Sequence, residues 1–311
     1  MTKPYLLLAL LVVALLALLP EVGNNYVLRI GAMMLMYMSL ALAWNFIGGF
    51  AGYPSFGTAG FFGLGAYVSA LLQAQGLPAQ ISWVFAAAVG GVFALLLGVI
   101  LLRLRGHAFA IATLVVAEVL REIINAWTSL TGGGMGLNLA YSGLSPEVAA
   151  RYYYHCMLVL AVLAFIATVV VAGNKLGFGL RCIKQNEGAA NMVGVNATLY
   201  KAAAFALSGV FIAAAGGIYA SWTGYIEPAD VFDIMISIKA IVMVLLGGVG
   251  TILGPVIGAL AFLVLDEIVW RNLLKLHTGT LGLLIVLLVL FLPMGLYSLR
   301  PRHRNAAKVK A

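Results

Sequence analysis

The sequence predicts an all-α protein, a polytopic transmembrane helical bundle of about ten spans with both termini cytoplasmic. Three observations carry that reading. Apolar residues make up 63% of the 311 and charged residues only 9%, against roughly 25% charged in ordinary soluble domains, so a surface this poor in polar groups is solvated by lipid. Hydrophobic runs recur along almost the whole length, and about 20 apolar residues cross the hydrocarbon core, which leaves no room for a large soluble domain. The net charge of +8 is shared unevenly between alternate loops, which is a topology signal rather than a nucleic-acid footprint.

In chain order, spans fall near 5–20, 27–47, 60–75, 81–102, 107–128, 155–172, 202–222, 234–247, 255–270 and 279–297. The first ends at Pro20-Glu21 without a small-x-small cleavage pattern, so it reads as a retained span rather than a signal peptide. The pieces 234–247 and 255–270 are short, and the glycine-rich break between them has room to lie inside the membrane. Of the eighteen Lys and Arg residues, Lys3, Arg103, Arg105, Lys175, Arg181, Lys184, Lys201, Arg300, Arg302, Arg304, Lys308 and Lys310 fall on one face. Arg29, Arg151, Arg271 and Lys275 fall on the other. Arg121 and Lys239 lie within spans, Lys239 close enough to an outer end to snorkel. Basic residues accumulate on the cytoplasmic side, which places both termini inside. Most carboxylates (Glu21, Glu147, Glu227, Asp230, Asp233, Asp266, Glu267) then fall outside. The chain reads as one transmembrane domain, 1–311, with a polar cytoplasmic loop at 174–201 and a short basic tail at 300–311. Cys156 and Cys182 are assigned to opposite faces, so no disulfide framework is read.

The polar insert "RCIKQNEGAANMVGVNATLYK" (181–201) interrupts this apolar chain. Asn186 is a candidate cap for one or two helical turns that Gly194 would end, and Asn196 a cap for a second helix running into the seventh span. A mere connection needs only a few residues. On composition alone, a compact knob and a solvated loop whose cations serve only topology remain equal readings.

The segment Glu187-x-Ala189-Ala190-x-x-x-Gly194 resembles the EAA loop of ABC-importer permeases. The longer stretch "RCIKQNEGAANMVGVNATLYKAAAFALSGVFIAAAGGIYA" (181–220) resembles the LivH/LivM family, the branched-chain amino acid permeases. So do "NFIGGFAGYPSFGTAGFFGLGAY" (45–67), "LRLRGHAFAIATLVVAEVLREIINAWTSLTGG" (102–133), "VLLGGVGTILGPVIGA" (244–259) and "LFLPMGLYSL" (290–299), on the LivM-like branch. The likeness covers most of 40–299, in order. It implies a type II ABC-importer-like fold in the bacterial cytoplasmic (inner) membrane, and a cytoplasmic ATPase groove that receives the insert. Glu187, Ala189, Ala190 and Gly194 would be the coupling residues, Gly194 for a tight turn and the two alanines for close approach. No G-x-x-x-x-G-K-[ST] phosphate loop is present, so the ATPase would be a separate subunit, ATP would be used by partner subunits, and no cofactor is expected on this chain. The implied partners are a second, LivH-like permease subunit, two cytoplasmic ATPases and a periplasmic (extracytoplasmic) amino-acid-binding protein that could meet the outer loop 129–139. Membrane lipid surrounds the bundle, and no nucleic acid is involved.

Two glycine-rich segments, 48–65 and 247–258, break membrane-like runs. Irregular backbone at membrane depth requires protein or a water-filled cavity to satisfy it, and transporters place such breaks along the substrate path. Gly52, Pro54, Gly57, Gly247, Gly248, Gly250 and Pro255 are therefore path candidates, beside the alternative of close helix packing through small residues. Glu118, Arg121 and Glu122 share one helical face near mid-span. Ionisable groups there are paired and face protein or water, so Glu118 and Arg121 read either as a structural pair or as part of the path. His107, His155, His277 and His303 are dispersed, no metal site is read, and no hydrolytic constellation marks an enzyme. The function expected is the permease subunit of an ATP-driven importer for branched-chain, hydrophobic amino acids. A urea or short-amide importer of the same family, and an ion-coupled secondary transporter using Glu118, are the alternatives.

Overall fold

The computed structural model describes residues 24–104, 106–139 and 143–272, with isolated positions at 16–18, 20, 282 and 296. The expected spans 5–20 and 279–297 and the basic tail 300–311 lie outside the described residues. Where described, the chain is almost wholly helical, apart from one two-residue ladder.

Helix α1 (Asn25–Trp44) starts where Asn24 accepts from the Val27 amide and runs into a π-helical turn, Asn45–Phe50. After an irregular stretch come α2 (Thr58–Ala74), α3 (Ala79–Leu101) and α4 (His107–Ala126). A short turn α5 (Thr128–Thr131) and strand β1 (Leu137–Asn138) lead to α6 (Pro146–Gly173), then α7 (Lys175–Gln185) and α8 (Glu187–Met192). The long α9 (Ala197–Thr223), strand β2 (Tyr225–Ile226), the single turn α10 (Pro228–Val231), α11 (Ile234–Gly247) and α12 (Gly254–Asn272) complete the described chain. Among the described residues, four segments, 25–50, 79–101, 146–173 and 197–223, are long and apolar enough to cross a membrane.

Two differences from the sequence reading have clear causes. The sixth span was expected from 155, but α6 begins at Pro146, behind a Ser145 cap and with Glu147 in its first turn. Its first turns carry Glu147, Arg151 and three tyrosines, which hid them from a hydropathy reading although Ser-Pro-Glu is a helix-start signal. Lys239, expected to snorkel, is instead paired at 3.6 Å with Asp266 of α12 and lies over the Tyr37 ring. Asp266 is accordingly within a helix rather than in an outer loop.

The core is built on α9, which packs against α2 and α3. Small residues permit that approach: a Cβ on Gly65 would lie 2.1 Å from the Ala213 carbonyl oxygen, and one on Gly216 would lie 2.0 Å from that of Phe62. Without a hydrophobic drive between helices in lipid, such close backbone packing supplies the cohesion. The large buried side chains, among them Phe46, Phe62, Phe109, Phe205 and Tyr67, fill the space around these crossings.

The bundle has two distinct ends. At one lie the end of α3, the start of the first glycine-rich break and the insert α7–α8, together with Arg103, Lys175, Arg181, Lys184 and Lys201. At the other, β1 pairs antiparallel with β2 (Leu137 with Ile226, Asn138 with Tyr225), and the Leu139 amide donates to the Gly224 carbonyl. Glu227, Asp230 and Asp233 gather beside that ladder; burial, then Glu227 and Asp233, raise the Asp230 carboxyl above its ordinary value.

Candidate functional site

The insert folds as two helices in tandem. Asn174 leads into α7, whose Gly177, Gly179, Leu180 and Ile183 face inward. Asn186 then accepts from the Ala189 amide to start α8. Gly194 turns the chain with φ +85°, a left-handed conformation that favours glycine. Asn196 caps α9 by accepting from the Leu199 amide.

Glu187 faces into the bundle rather than away from it. Its carboxylate accepts from Lys201 Nζ at 2.8 Å through one oxygen and from the Tyr53 hydroxyl through the other. Lys201 is 1% exposed. Its ammonium also donates to the Tyr53 hydroxyl (3.1 Å) and to the Leu102 carbonyl (2.9 Å), and lies 4.4 Å from the Tyr53 ring centroid. All three ammonium protons therefore have acceptors, which is what makes a buried charge tolerable. Ala190 is buried beneath α8, whereas Ala189 and Gly194 are exposed. Among the polar residues on the outward surface of the insert, four large apolar side chains are exposed: Met192 is 85% exposed, Val193 76%, and Phe178 and Leu199 more than half.

The first break starts at the insert end, where Lys184 holds Gly49, and runs inward to Phe56, which bonds Thr113 in the second turn of α4 and Ser237 ten residues before Gly247 on α11, while the second break begins at the end of α11. In the first, Gly52 has φ +76°, Tyr53 is buried, Pro54 is half-buried at the bend, and Gly57 leads into α2. Its backbone is satisfied by side chains of other elements. Trp44 Nε1 donates to the Ser55 carbonyl (2.7 Å), the Phe56 amide to Thr113 Oγ1 of α4 (3.0 Å), and Ser237 Oγ of α11 to the Phe56 carbonyl (2.7 Å). In the second, Gly248 and Gly250 have φ of +128° and +76°, and Pro255 sits in the first turn of α12, where a missing N–H costs nothing. Gly247, at the end of α11, meets α12 so closely that a Cβ would lie 1.8 Å from the Gly254 carbonyl oxygen.

Asn45 joins the two breaks: its Oδ1 accepts from the Gly250 amide (2.9 Å) and its Nδ2 donates to the Thr251 carbonyl (3.0 Å). Lys184, from α7, reaches the same place and donates to the Gly49 carbonyl at 2.8 Å. Burial lowers its ammonium below the usual lysine range. The structure thus gathers Glu187, Gly52 and Gly250 around Tyr53 and Lys184, whereas Gly57 lies farther along the bundle, against Thr113.

Glu118 and Arg121 stand apart on α4, as a 3.0 Å ion pair. They lie on an exposed face with Ile111, Val115, Val119, Glu122 and Ile123. Glu118 is eleven residues into α4, about 17 Å along its axis at 1.5 Å per residue. Sequence reasoning missed Asn45, Tyr53, Thr113 and Ser237, and gave Lys184 and Lys201 only a topological role. The one available signal was the placement of Lys201 on the first turns of an apolar helix, where a cation needs a partner.

Residues 26–293 match the sequence family described as the permease component of the branched-chain amino acid transport system. The chain belongs to that family. Among similar proteins, the high-affinity branched-chain amino acid transport system permease protein LivM of Salmonella typhimurium is 29% identical, with 98% of this chain and 76% of the relative covered. LivM of Escherichia coli is 28% identical over 94% of this chain and 74% of its own length. The autoinducer 2 import system permease protein LsrC of Enterobacter is 29% identical over 79% and 72%. No solved structure matches the chain. The protein is thus an all-helical, multi-pass membrane permease component, and its family is one of transporters rather than enzymes.

Proposed function

We propose that this permease is a transmembrane subunit of an ATP-driven ABC importer for branched-chain, hydrophobic amino acids. It forms the translocation path with a second permease subunit and couples to separate cytoplasmic ATPases through the 174–201 insert. A binding protein on the opposite face delivers the substrate. The exposed apolar side chains on the α7–α8 knob, built at the basic end of the bundle, are the observation that carries the reading. Met192 and Val193 need a cover that water does not provide, and the cations at the same end favour a cytoplasmic one. The ordered segment β1–β2 at the other end suits contact with the binding protein. The named cargo of LivM, shared by two relatives that cover almost all of this chain, favours branched-chain amino acids over the autoinducer cargo named for LsrC.

The exposed face of α4 supports a paired permease. If α4 spans the membrane as the sequence predicts, an ionisable pair midway along it does not face hydrocarbon, so Glu118, Arg121 and Glu122 face the path or the second subunit. Gentle detergent extraction, affinity capture of this chain and mass spectrometry of what accompanies it test the proposal. A nucleotide-binding subunit should be recovered in stoichiometric amount, and lost when Met192 and Val193 are both changed to Asp. Recovery of the chain alone would overturn the reading.

A further inference from the structure

The insert does not hang from the bundle by its two chain ends. Two polar ties fix it to the first glycine-rich break, and a third joins that region to the second break. Lys184 Nζ donates to the Gly49 carbonyl, and its stem covers Gly52, where a Cβ would meet Lys184 Cγ at 2.9 Å. Glu187, the first residue of α8, is clamped between Lys201 and Tyr53, and Tyr53 belongs to the first break. Asn45 then bonds the first break to the second through Gly250 and Thr251. A continuous polar connection thus runs from the exposed knob, through Glu187, Lys201 and Tyr53, into both irregular segments.

Its chemistry is unlike packing. A buried ion pair is a poor source of stability compared with apolar groups of similar volume, but its geometry is stringent and its rupture is costly. An apolar contact slides; a lysine whose three protons go to a carboxylate, a phenol and a carbonyl does not. Tyr53 follows Gly52 directly, so the pinned side chain adjoins a glycine in the left-handed conformation, φ +76°.

We propose that Lys201, Glu187, Tyr53 and Lys184 form a rigid link that carries displacement of the insert into the glycine-rich breaks, so that the insert and the first break move as one body. Lys201 and Lys184 are positioning residues of the transport cycle. The inference rests on the insert being the ATPase-docking element.

A reversible covalent substitute for the link tests it. A Cβ at position 52 would lie 3.6 Å from Lys184 Cβ, within the roughly 3.5–4.5 Å that a disulfide spans. The variant Gly52→Cys/Lys184→Cys, made with Cys156→Ser and Cys182→Ser, is captured with its partners and reconstituted in liposomes. Labelled leucine uptake and ATP hydrolysis are measured on the same sample, before and after oxidation. Reduced, it should hydrolyse ATP but transport about tenfold less per ATP than the Cys156→Ser/Cys182→Ser parent, the scale of a coupling free energy between sites. Oxidised, it should recover the parent's ratio, a reversal that no loss of folding would show. Equal ratios in both states, or an oxidised form that hydrolyses ATP without transport, would overturn the link, the latter because insert and break would then have to separate. A parent complex lacking ATP-dependent uptake would instead overturn the importer reading. Tyr53→Phe gives an independent measure: it keeps the ring over Lys201 but removes the hydroxyl, and should lower the ratio while leaving the amount of assembled complex unchanged. An unchanged ratio in Tyr53→Phe would also count against the link.

Discussion

Lys201 shows how much one side chain can decide at the residue scale. At 1% exposure its charge persists because Glu187, Tyr53 and Leu102 surround it with acceptors. Lys201→Met removes one partner of a buried ion pair and should cost about 3 kcal/mol or more, as is usual for such a pair. The double variant Lys201→Met/Glu187→Gln should be more stable than Lys201→Met alone, because it also removes the charge of the carboxylate; thermal unfolding in detergent measures both. Two substitutions in the insert then separate. Glu187→Lys sets two ammonium groups side by side and disrupts α8 itself, so its loss of transport would come with a loosened insert. A Cβ on Gly194 meets nothing within 4 Å. Gly194→Trp therefore adds only the roughly 1–2 kcal/mol of left-handed strain and otherwise projects outward. It should suppress transport more than it lowers the unfolding temperature; equal loss in both would argue against docking at this surface.

At the scale of elements, glycine crossings hold the bundle together. A Cβ on Gly247 or Gly258 would lie 1.8 Å from the carbonyl oxygen of Gly254 or Met243, so α11 and α12 would have to separate to admit it. Gly258→Ala is expected to abolish the monodisperse peak in detergent gel filtration, whereas Gly173→Ala, with nothing near its Cβ, should stay within about 0.5 kcal/mol of the parent. Element boundaries were legible where hydropathy changed sharply, as at 234–247, which the structure reproduces as Ile234–Gly247. They were hidden where a helix is polar at one end, as in α6, or carries two glycines on its buried face, as in α7. The 129–139 region, read from the sequence as an outer loop, is held by its ladder with β2 and by the Tyr225 hydroxyl donating to the Met135 carbonyl.

For the whole molecule, the exposed surface of α4 poses the sharpest question. Its apolar residues alone would suit lipid, but Glu118 and Glu122 do not, and the Arg121 Nε has no hydrogen-bond partner. If this face borders the path, Glu118→Gln should reduce uptake by the reconstituted complex several-fold more than it reduces recovery of the second permease subunit. Losses of the same size in both would make the Glu118–Arg121 pair a packing feature only. Because the apolar pattern marks each side chain's environment without naming its partner, the sequence could place Glu118 near mid-span but not say what it faces.

The sequence by itself determined that this is a membrane-spanning helical permease with a capped polar insert. Composition, hydrophobic run length and cap chemistry are local properties, and each acts within a few helical turns. Only the tertiary structure decided that the two glycine-rich breaks touch through Asn45, that Lys184 ties the first of them to the insert, and that Glu187 turns inward to Lys201. Those facts join residues as far apart as Asn45 and Gly250. Their physical cause is the demand of buried polar groups for partners, which only a folded chain can bring within hydrogen-bond reach.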